Sequence, residues 1–281
     1  AASLQYLFEE VILFYLKSLD YKVSNNLCLS GGSFLNCNIN SRIINETKYK
    51  NLHLFPACGD DGISVGAALY VNHHLKNHPR VKYNENEICY LGKKYETELV
   101  DFKFVAKLLS EGKIIGWFNG SSEYGPRALG NRSLMFDPTF EDGKDFVNRV
   151  KRREYFRPFA GSILEDDAHE WFDLRGMESS PTMMYAVNCK PGVEEKIPAI
   201  IHVDGTCRIQ TVNREQNQHY YDLIKTFKEE TGCPIVFNTS FNLGGEPLVE
   251  TLDDALRTLK NSKIEYLYLP EYNTLFTIEN E

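Results

Sequence analysis

Several protein classes are disfavoured by what this sequence lacks. It has no excess of basic residues, since 31 Lys and Arg stand against 39 Asp and Glu, for a net charge of −8. Phosphate contacts need a basic surface, so nucleic acid is not expected as a partner, although a local cationic pocket for a small anion is compatible with this charge. No apolar run approaches the roughly twenty residues that span a bilayer, and no membrane segment is predicted.

The sequence also lacks the patterns of secreted or zinc-binding domains. Its seven cysteines are odd in number and contain no CxxC pair, so reduced thiols in a cytoplasmic protein are expected. The first residues, AASLQYLFEEVILFYLKSL, show no cationic segment before an apolar one, and no signal peptide is predicted. They begin inside an amphipathic helical pattern without an initiator Met or an N-cap, which predicts that the sequence starts within a larger protein.

What is present is an alternation of strand and helix patterns, which predicts an α/β fold, in part α+β. Two units of strand, glycine loop and helix come first, around SGGSFLN and GDDGISVGAAL. A polar stretch follows, and residues 81–98 are predicted to form a linker. Beyond it, strands are predicted at 113–120 and 233–242, and helices at 101–112, 140–157, 219–232 and 251–262, with Gly112 as a stop and Thr251 as an N-cap.

The segment EYGPRALGNRS, residues 123–133, carries two arginines five positions apart between glycines. Glycines let a backbone approach a ligand closely, and two guanidinium groups on one loop can converge on a single anion. The segment therefore predicts an oxyanion-binding loop with Arg127, Asn131, Arg132 and Ser133. Two surface arginines on a turn are the alternative.

A second basic cluster lies in NRVKRREYFRPF, residues 148–159. If this run is helical, Asn148, Lys151 and Arg152 share one face. Lys151 and Arg157 are predicted to turn inward, next to apolar neighbours, while the rest forms a solvated face. An RNA-binding patch is the competing interpretation, which the acidic composition disfavours.

Two strand-like segments carry further polar side chains. In HVDGTCRIQTV, a strand would place Thr206, Arg208 and Gln210 on one face, which suits a phosphate or carbamoyl group but can also be a plain solvent-exposed face. In FNTSFN, hydroxyl and amide side chains at a strand terminus make good ligand contacts, although a local turn is the simpler interpretation. The residues concerned there are Asn238, Thr239, Ser240 and Asn242.

The first part of the chain offers a glycine turn and an acidic loop. Gly31 and Gly32 could admit a nucleotide against the backbone, with Asn36 one turn into the next helix. Asp60 and Asp61 could hold a hard metal ion, although adjacent acidic residues in a loop are commonly just solvated. His74 and His78 have the spacing of two metal ligands on a helix, but they lie at a polar helix end and are predicted to be exposed.

In their order, these motifs resemble the carbamoyltransferase family of nodulation-factor and antibiotic-tailoring enzymes. The resemblance covers essentially the whole chain, and the motifs from EYGPRALGNRS onward are specific to the family's carboxy-terminal domain. Such enzymes join an actin-like ATPase-type domain, similar to the universal tRNA threonylcarbamoyl transferase, to a YrdC-like domain. The resemblance implies that residues 1–80 are the second half of the actin-like domain and that residues 99–281 are the YrdC-like, mixed-sheet domain.

The resemblance also implies a reaction. The YrdC-like part would convert carbamoyl phosphate and ATP to carbamoyl adenylate with release of pyrophosphate, and the actin-like part would transfer the carbamoyl group to a hydroxylated, sugar-like acceptor. Arg127, Lys151 and Arg208 would be catalytic. Carbamoyl phosphate and ATP would be bound by Asn131, Arg132, Ser133, Arg157, Thr206, Asn238, Ser240 and Asn242. The adenylate would be held by Gly31, Gly32 and Asn36, and Asp60 would ligate a divalent metal, Fe, Mg or Mn.

The sequence departs from the family at the metal site. The family's site also uses two histidines that precede the GDDG motif, whereas His74 and His78 follow it. The chain alone is therefore expected to fail at transfer, though it could still form the adenylate. Two other functions stay open: a non-catalytic nucleotide- or RNA-binding YrdC-like module, and a sugar kinase of the actin-like superfamily.

Overall fold

Two β-sheets organise the part of the chain that the structure, a computed structural model, describes: residues 1–83, 88–95, 101–269 and 274–277. One sheet has two strands and the other has nine. Helices accompany both sheets, so the α/β prediction is confirmed. The predicted linker, 81–98, lies partly outside the described residues, and the division of the chain into domains stays a prediction.

The first sheet is formed by the two predicted strand–loop–helix units. Its strands, β1 (Asn26–Leu29) and β2 (Asn51–Leu54), pair in parallel, with Leu27 opposite Leu52. Both strands therefore end at the same edge, where the SGGSFLN and GDDG loops follow. The helices of this part are α1 (Ala2–Ser18), α2 (Cys37–Glu46) and α3 (Ile63–Tyr70), and the single turns are Gly32–Leu35, Asp60–Gly62 and the π-helical Val71–Leu75.

The α1 helix forms where the apolar spacing predicts it, but several of its regularly spaced apolar side chains lie on the exposed face. Leu13 and Leu16 are buried towards α2, together with the polar Glu9. In contrast, several apolar side chains are more than half exposed: Leu4, Leu7, Val11, Phe14 and Tyr15. Apolar periodicity identifies a helix, but it does not identify which neighbour covers each face.

The second sheet runs in the order β11–β10–β3–β4–β9–β5–β8–β7–β6. The β10–β3 and β5–β8 pairs are parallel, and the other pairs are antiparallel. The central strands are almost wholly buried, as expected for a sheet covered on both faces. Its strands are β3 (Ile115–Phe118), β4 (Arg132–Phe136), β5 (Ala160–Leu164), β6 (Phe172–Asp173), β7 (Ala186–Cys189), β8 (Thr206–Val212), β9 (Ile235–Ser240), β10 (Tyr266–Leu269) and β11 (Thr274–Thr277).

In the described part of the chain, five α-helices accompany this sheet: α4 (Phe102–Ser110), α5 (Gly143–Val150), α6 (Ala168–Trp171), α7 (Gln218–Thr231) and α8 (Leu252–Lys260). Helices α4 and α7 pack against each other, and α7 also packs on β5 and β9. The predicted N-cap is confirmed, because Thr251 and Asp254 form a reciprocal capping box. Among the helices in the described ranges, none combines the length and apolar character needed to cross a membrane.

Two sequence-based predictions about element boundaries are wrong, and both affect the site. The helix predicted over 140–157 ends at Val150, because Arg152 has a φ of 54°. The side-chain amide of Asn148 then donates to the carbonyls of Tyr155 and Arg157, which folds these residues back towards the helix. Arg152 therefore shares no helical face with Asn148, whereas Lys151, the C-cap residue, still donates its amide to the carbonyl of Val147 and is buried on the same side as Asn148. The predicted 123–133 loop ends at residue 131, because Arg132 and Ser133 begin strand β4.

Polar contacts join the two parts of the chain. The Asn40 side chain donates to the carbonyl of Met184 at 2.9 Å. The Ser41 hydroxyl donates to the carbonyl of Ala186 and accepts from the Ala186 amide. These buried contacts hold α2 and the preceding SGGSFLN turn against β7, on the side of the large sheet where the basic motifs collect.

A cationic cleft as candidate active site

Three adjoining cavities collect most of the basic motifs. The first, of about 670 Å³, lies between the turn that begins at Lys151 and the loop that contains Asn242. The second, of about 420 Å³, shares Arg153, Arg157 and Ser240 with the first and adds Arg127 and Arg208. The third, of about 440 Å³, shares Arg127 and Arg208 with the second and reaches Asn36. We call the first two together the cationic cleft.

Arg127 stands where the two parts of the chain meet. Its Nη2 donates to the carbonyl of Leu35, in the SGGSFLN turn, at 2.7 Å and approaches the Cys37 sulfur at 3.6 Å. Burial, together with the neighbouring positive charge of Arg208, lowers the pKa of Arg127 to about 10. The surroundings of Arg127 therefore disfavour its charged form, and an anion bound in the cleft would relieve this cost.

Arg208 and Arg153 complete the group of arginines. Within the described residues, neither forms an ion pair with a carboxylate, and no hydrogen-bond partner is recorded for the Arg208 guanidinium. Arg153 stacks on the ring of Phe159, with 4.0 Å from Cζ to the ring centroid, and its pKa is lowered to about 10 by burial, Arg157 and Arg208. Glu154 and Glu246 line the first cavity, but in the described chain the second cavity is lined by no carboxylate, so its arginines make it suited to a multiply charged anion.

Lys151 is almost fully buried and holds the end of β9. Its ammonium donates to the carbonyls of Ser240 and Asn242 and to the Asn242 side-chain oxygen, the last at 2.9 Å. Burial lowers the pKa of Lys151, and Arg153 lowers it further. The predicted inward orientation of Lys151 agrees with the structure, but its donors are taken up by protein oxygens that shape the rim of the first cavity.

The lowered pKa values predict a pH dependence for anion binding. Arg127 and Arg153, each with a pKa of about 10, lose their charge at lower pH than ordinary arginines, and deprotonation removes the attraction to an anion. ATP keeps a constant charge at alkaline pH, so the affinity for ATP, measured by calorimetry, is expected to fall as the pH rises through about 10. An affinity unchanged to about pH 11 would contradict these assignments; a variant with Arg153→Gln is expected to show a shallower dependence.

Three residues of the EYGPRALGNRS motif point away from the cleft. Arg132 is fully buried and donates to the carbonyls of Asn119, Asn131 and Gly120, with its guanidinium 3.7 Å above the Phe118 ring. The Asn131 side chain accepts from the side-chain amides of Asn119 and Asn217. Ser133 is buried within β4. The predicted convergence of Arg127 and Arg132 on one anion is therefore wrong, because the start of β4 turns Arg132 into the interior.

Asn238 lies beneath the loop rather than beside a ligand. Its Nδ2 donates to the carbonyl of Ala128 at 3.1 Å and to the Ser162 hydroxyl at 3.0 Å. Gln210 lies on β8, on the far side of β5 from Asn238, and its side chain donates to the carbonyl of Leu129. These side chains of β5, β8 and β9 form a buried polar network that supports the 123–131 backbone. Asn238 nevertheless also lines the second cavity.

The remaining predicted residues divide between the rim and the surroundings. Ser240 and Asn242 line the first cavity and hydrogen-bond each other at 2.7 Å. Arg157 lines the cleft but is half exposed and paired with Glu154 at 2.6 Å, so the prediction that it turns inward is wrong; Arg153 takes the inner position. Thr206, the first residue of β8, donates its hydroxyl hydrogen to the Asp204 carboxylate in the preceding turn and does not line the cleft.

The glycine turn lies at the carboxyl edge of the small parallel sheet. Gly31 has a φ of 112°, which only glycine adopts readily, and a side-chain carbon added at Gly31 or Gly32 would meet no atom within 4 Å. There is thus open space above this turn, as a nucleotide would require. Asn36 is the N-cap of α2 rather than a residue one turn inside it, and its side chain also pairs with Gln5.

Asp60 does not complete a metal site. It is exposed at the start of a short turn, and Tyr124 donates its hydroxyl hydrogen to the carbonyl of the next residue, Asp61. In the described ranges, no cluster of three or more His, Cys, Asp or Glu side chains is placed to hold a metal ion. A divalent cation needs more oxygen ligands than one carboxylate, so the metal stays a prediction that requires ligands from elsewhere.

The histidine pair is exposed, as predicted. His74 stacks on Tyr70, with ring centroids 4.7 Å apart. His78 lies beyond the helical turn that ends at Leu75 and hydrogen-bonds the Asn72 side chain. The two histidines therefore do not lie on one helical face, and their sequence spacing has no consequence for metal binding.

Comparisons with known sequences agree with this architecture. The family described as Carbamoyltransferase C-terminus matches residues 106–275, and the one described as Carbamoyltransferase N-terminus matches residues 1–69. Fold and cleft together define a mixed α/β protein with a cationic cleft at the ends of its central strands. The chain belongs to the carbamoyltransferase family.

The curated relatives are longer than this chain. Nodulation protein NolO of Bradyrhizobium diazoefficiens is 37% identical over 95% of this chain and 52% of its own length. Nodulation protein NolNO of Sinorhizobium fredii is 36% identical over 97% of this chain and 43% of its own length. The uncharacterized protein sll1178 of Synechocystis is 35% identical, over 97% and 51% respectively. The chain thus spans about half the length of the curated relatives it matches.

Likenesses among solved structures are partial and distant. Full-length HypF, in a phosphate- and nucleotide-bound form, aligns with a TM-score of 0.40 and 20% identity, over 60% of this chain and 21% of that chain. Sua5 of P. abyssi, complexed with L-threonine, aligns with a TM-score of 0.42 and 15% identity, over 59% of this chain and 45% of that chain.

Proposed function

We propose that the cationic cleft binds carbamoyl phosphate and ATP and forms carbamoyl adenylate. The observation that carries the proposal is the group of Arg127, Arg153 and Arg208 around one cleft without a carboxylate partner in the described residues. Structural arginines are normally paired, because an uncompensated buried charge is costly. When a polyanion binds, its negative charge neutralises these arginines and removes this cost. Membership of the carbamoyltransferase family supports carbamoyl phosphate as one such anion.

The proposed reaction balances with one water molecule. Water cleaves carbamoyl phosphate to carbamate and inorganic phosphate. A carbamate oxygen then attacks the α-phosphorus of ATP, the bond to the β-phosphate breaks, and pyrophosphate leaves. Both steps bring anions together, so the protein must neutralise charge and hold the reactants in line.

The chain's own residues fit these two tasks. Arg127 and Arg208 carry forked donors that can stabilise the charge on phosphate oxygens as it redistributes. Arg153, fixed against Phe159, adds a third charge between the two cavities. Lys151 holds Ser240 and Asn242 at the rim, where hydroxyl and amide groups can orient the carbamoyl amide. In this assignment Lys151 shapes the site more than it contacts substrate.

Transfer to an acceptor is proposed as a second step, for a protein of the full length of the curated relatives. A hydroxyl of a sugar-like acceptor would attack the carbamoyl carbon, and AMP would leave. Gly31, Gly32 and Asn36 would hold the adenylate at the edge of the small sheet, next to the cavity that Arg127 and Arg208 share with Asn36. The divalent metal would be held by Asp60 together with ligands from elsewhere, and would polarise the carbamoyl oxygen when bound.

Product analysis of the purified chain tests the proposal. Incubation with ATP, Mg²⁺ and carbamoyl phosphate is expected to release pyrophosphate, and omission of carbamoyl phosphate is expected to abolish this release. Formation of ADP with a sugar would indicate a kinase instead. Salt-dependent RNA binding without ATP turnover would indicate a binding module.

A further inference from the structure

A buried carboxylate at the base of the 123–131 loop has no place in the reaction proposed above. Glu123 is only 8% exposed. Its Oε1 accepts from three backbone amides: Leu129 at 2.8 Å, Asn131 at 2.8 Å and Arg132 at 3.1 Å. The side chain therefore connects the start of the loop to the backbone at its end. No ligand-like role is suggested by this geometry, because the donors are backbone amides of the loop and of the first residue of β4.

Other contacts immobilise the same half of the loop. The carbonyl of Leu129 accepts from the Tyr90 hydroxyl at 3.0 Å and from the Gln210 side chain at 3.1 Å. The carbonyl of Ala128, next to Arg127, accepts from Asn238. Arg127 is thus the last residue before a segment whose backbone is fixed on both its donor and acceptor sides. Its own guanidinium then spans from this segment to the carbonyl of Leu35.

We propose that Glu123 is a positioning residue, which fixes the loop backbone so that the Arg127 guanidinium faces the anion in the cationic cleft. The proposal rests on the proposed function, because it assigns Glu123 to the service of that anion site. Glu123 touches no substrate in this account and acts through Arg127. The loop is held because the Glu123 side chain is long enough to place one oxygen within hydrogen-bond distance of three amides; its negative charge is not required.

The remaining features of Glu123 agree with this assignment. Burial raises the pKa of Glu123, while the three amides lower it, so the site favours an acceptor oxygen more than a charge. Its Oε2 is buried and has no recorded partner among the described residues. A glutamine can place its carbonyl oxygen at the Oε1 position, with its NH₂ group at the position of Oε2.

Two conservative variants separate reach from charge. E123Q keeps the reach and removes the charge, whereas E123D keeps the charge on a side chain roughly 1.5 Å shorter. ATP is the probe, with its dissociation constant measured by calorimetry at fixed salt. E123Q is expected to bind within about threefold of the parent protein, and E123D is expected to bind about tenfold more weakly, because the loop loses its anchor. Weak binding by E123Q with parent-like binding by E123D overturns the proposal.

Double variants test whether the effect passes through Arg127. In an R127A background, E123D is expected to cause no further loss of ATP affinity, since the group that it positions is gone. In an R208A background, the tenfold loss is expected to persist. Equal losses in both backgrounds would mean a general structural role and would overturn the proposal. Should E123D fail to fold, weak ATP binding by a folded E123Q still contradicts it, and parent-like binding supports it.

Amide exchange distinguishes this proposal from the proposed function. The Leu129 and Asn131 amides are expected to be protected in the parent protein and in E123Q, and to exchange faster in E123D, without any ligand. If the parent protein binds no ATP, the proposed function fails while this exchange pattern still reports the anchor. If ATP binds and the E123D effect survives in R127A, the positioning proposal alone fails.

Discussion

Replacing Arg127 and Arg208 together by alanine is expected to lower carbamoyl-phosphate-dependent pyrophosphate release by roughly a thousandfold. Each arginine can form charge-assisted hydrogen bonds, each worth about 1.5–3 kcal/mol, to an anion that they share across the second cavity. With one arginine removed, the other still neutralises part of the charge. The double variant leaves no guanidinium on the Arg127–Arg208 side of the cleft. Single-turnover assays of the two single variants and the double variant measure the effect.

The control for this prediction is Arg214→Ala, which removes the same charge at an exposed ion pair with Asp222. That variant is expected to retain pyrophosphate release, because surface pairs contribute little and Arg214 does not line the cleft. Arg208→Ala is expected to unfold at or above the parent temperature, since its guanidinium has no recorded hydrogen-bond partner in the described chain. Loss of activity in Arg214→Ala, or full activity in the double variant, would refute the site assignment.

Replacing Gly130 by alanine is expected to destabilise the folded protein by about 2–6 kcal/mol. Gly130 has a φ of 101°, and an added Cβ would lie 2.1 Å from a ring carbon of Tyr220. Tyr220 is fully buried in α7 and belongs to the main core, so its ring cannot move aside without disturbing that core. Thermal unfolding is expected to shift down by about 10 °C.

A matched variant separates backbone strain from the collision. Gly245 has a φ of 81°, and an added Cβ there would meet no atom within 4 Å. Gly245→Ala is therefore expected to cost about 1–2 kcal/mol, the cost of the left-handed backbone alone. If the two variants destabilise the protein equally, the packing of the loop against Tyr220 is not as the structure places it.

Local chemistry in the sequence predicted many of the elements. The Thr251 cap, the helix that stops at Gly232 and the strand that carries Asn238 are where the pattern placed them, because each depends on neighbours within a few residues. Arg127, Arg208, Ser240 and Lys151 do collect around one cleft. Their common location was inferred from the order of motifs in a family, since no spacing rule connects residues so far apart.

The errors arise where tertiary contacts decide the outcome. Arg132 reads like a ligand contact, but β4 starts at this residue and directs it to backbone carbonyls. The apolar neighbours Phe156 and Phe159 favour Arg157 as the inward residue, but the left-handed Arg152 reverses the chain and brings Arg153 onto Phe159. The role of Glu123 could not be predicted, because a carboxylate that accepts from three backbone amides leaves no signal in a single sequence.

Isotope exchange between pyrophosphate and ATP tests the central claim most directly. If the cleft forms carbamoyl adenylate, the reverse of the attack on the α-phosphorus returns label from pyrophosphate to ATP. The chain is expected to catalyse this exchange when carbamoyl phosphate is present, and Arg127→Ala with Arg208→Ala is expected to abolish it. Exchange in the absence of carbamoyl phosphate would contradict the account. So would the binding of pyrophosphate without any exchange when carbamoyl phosphate is present.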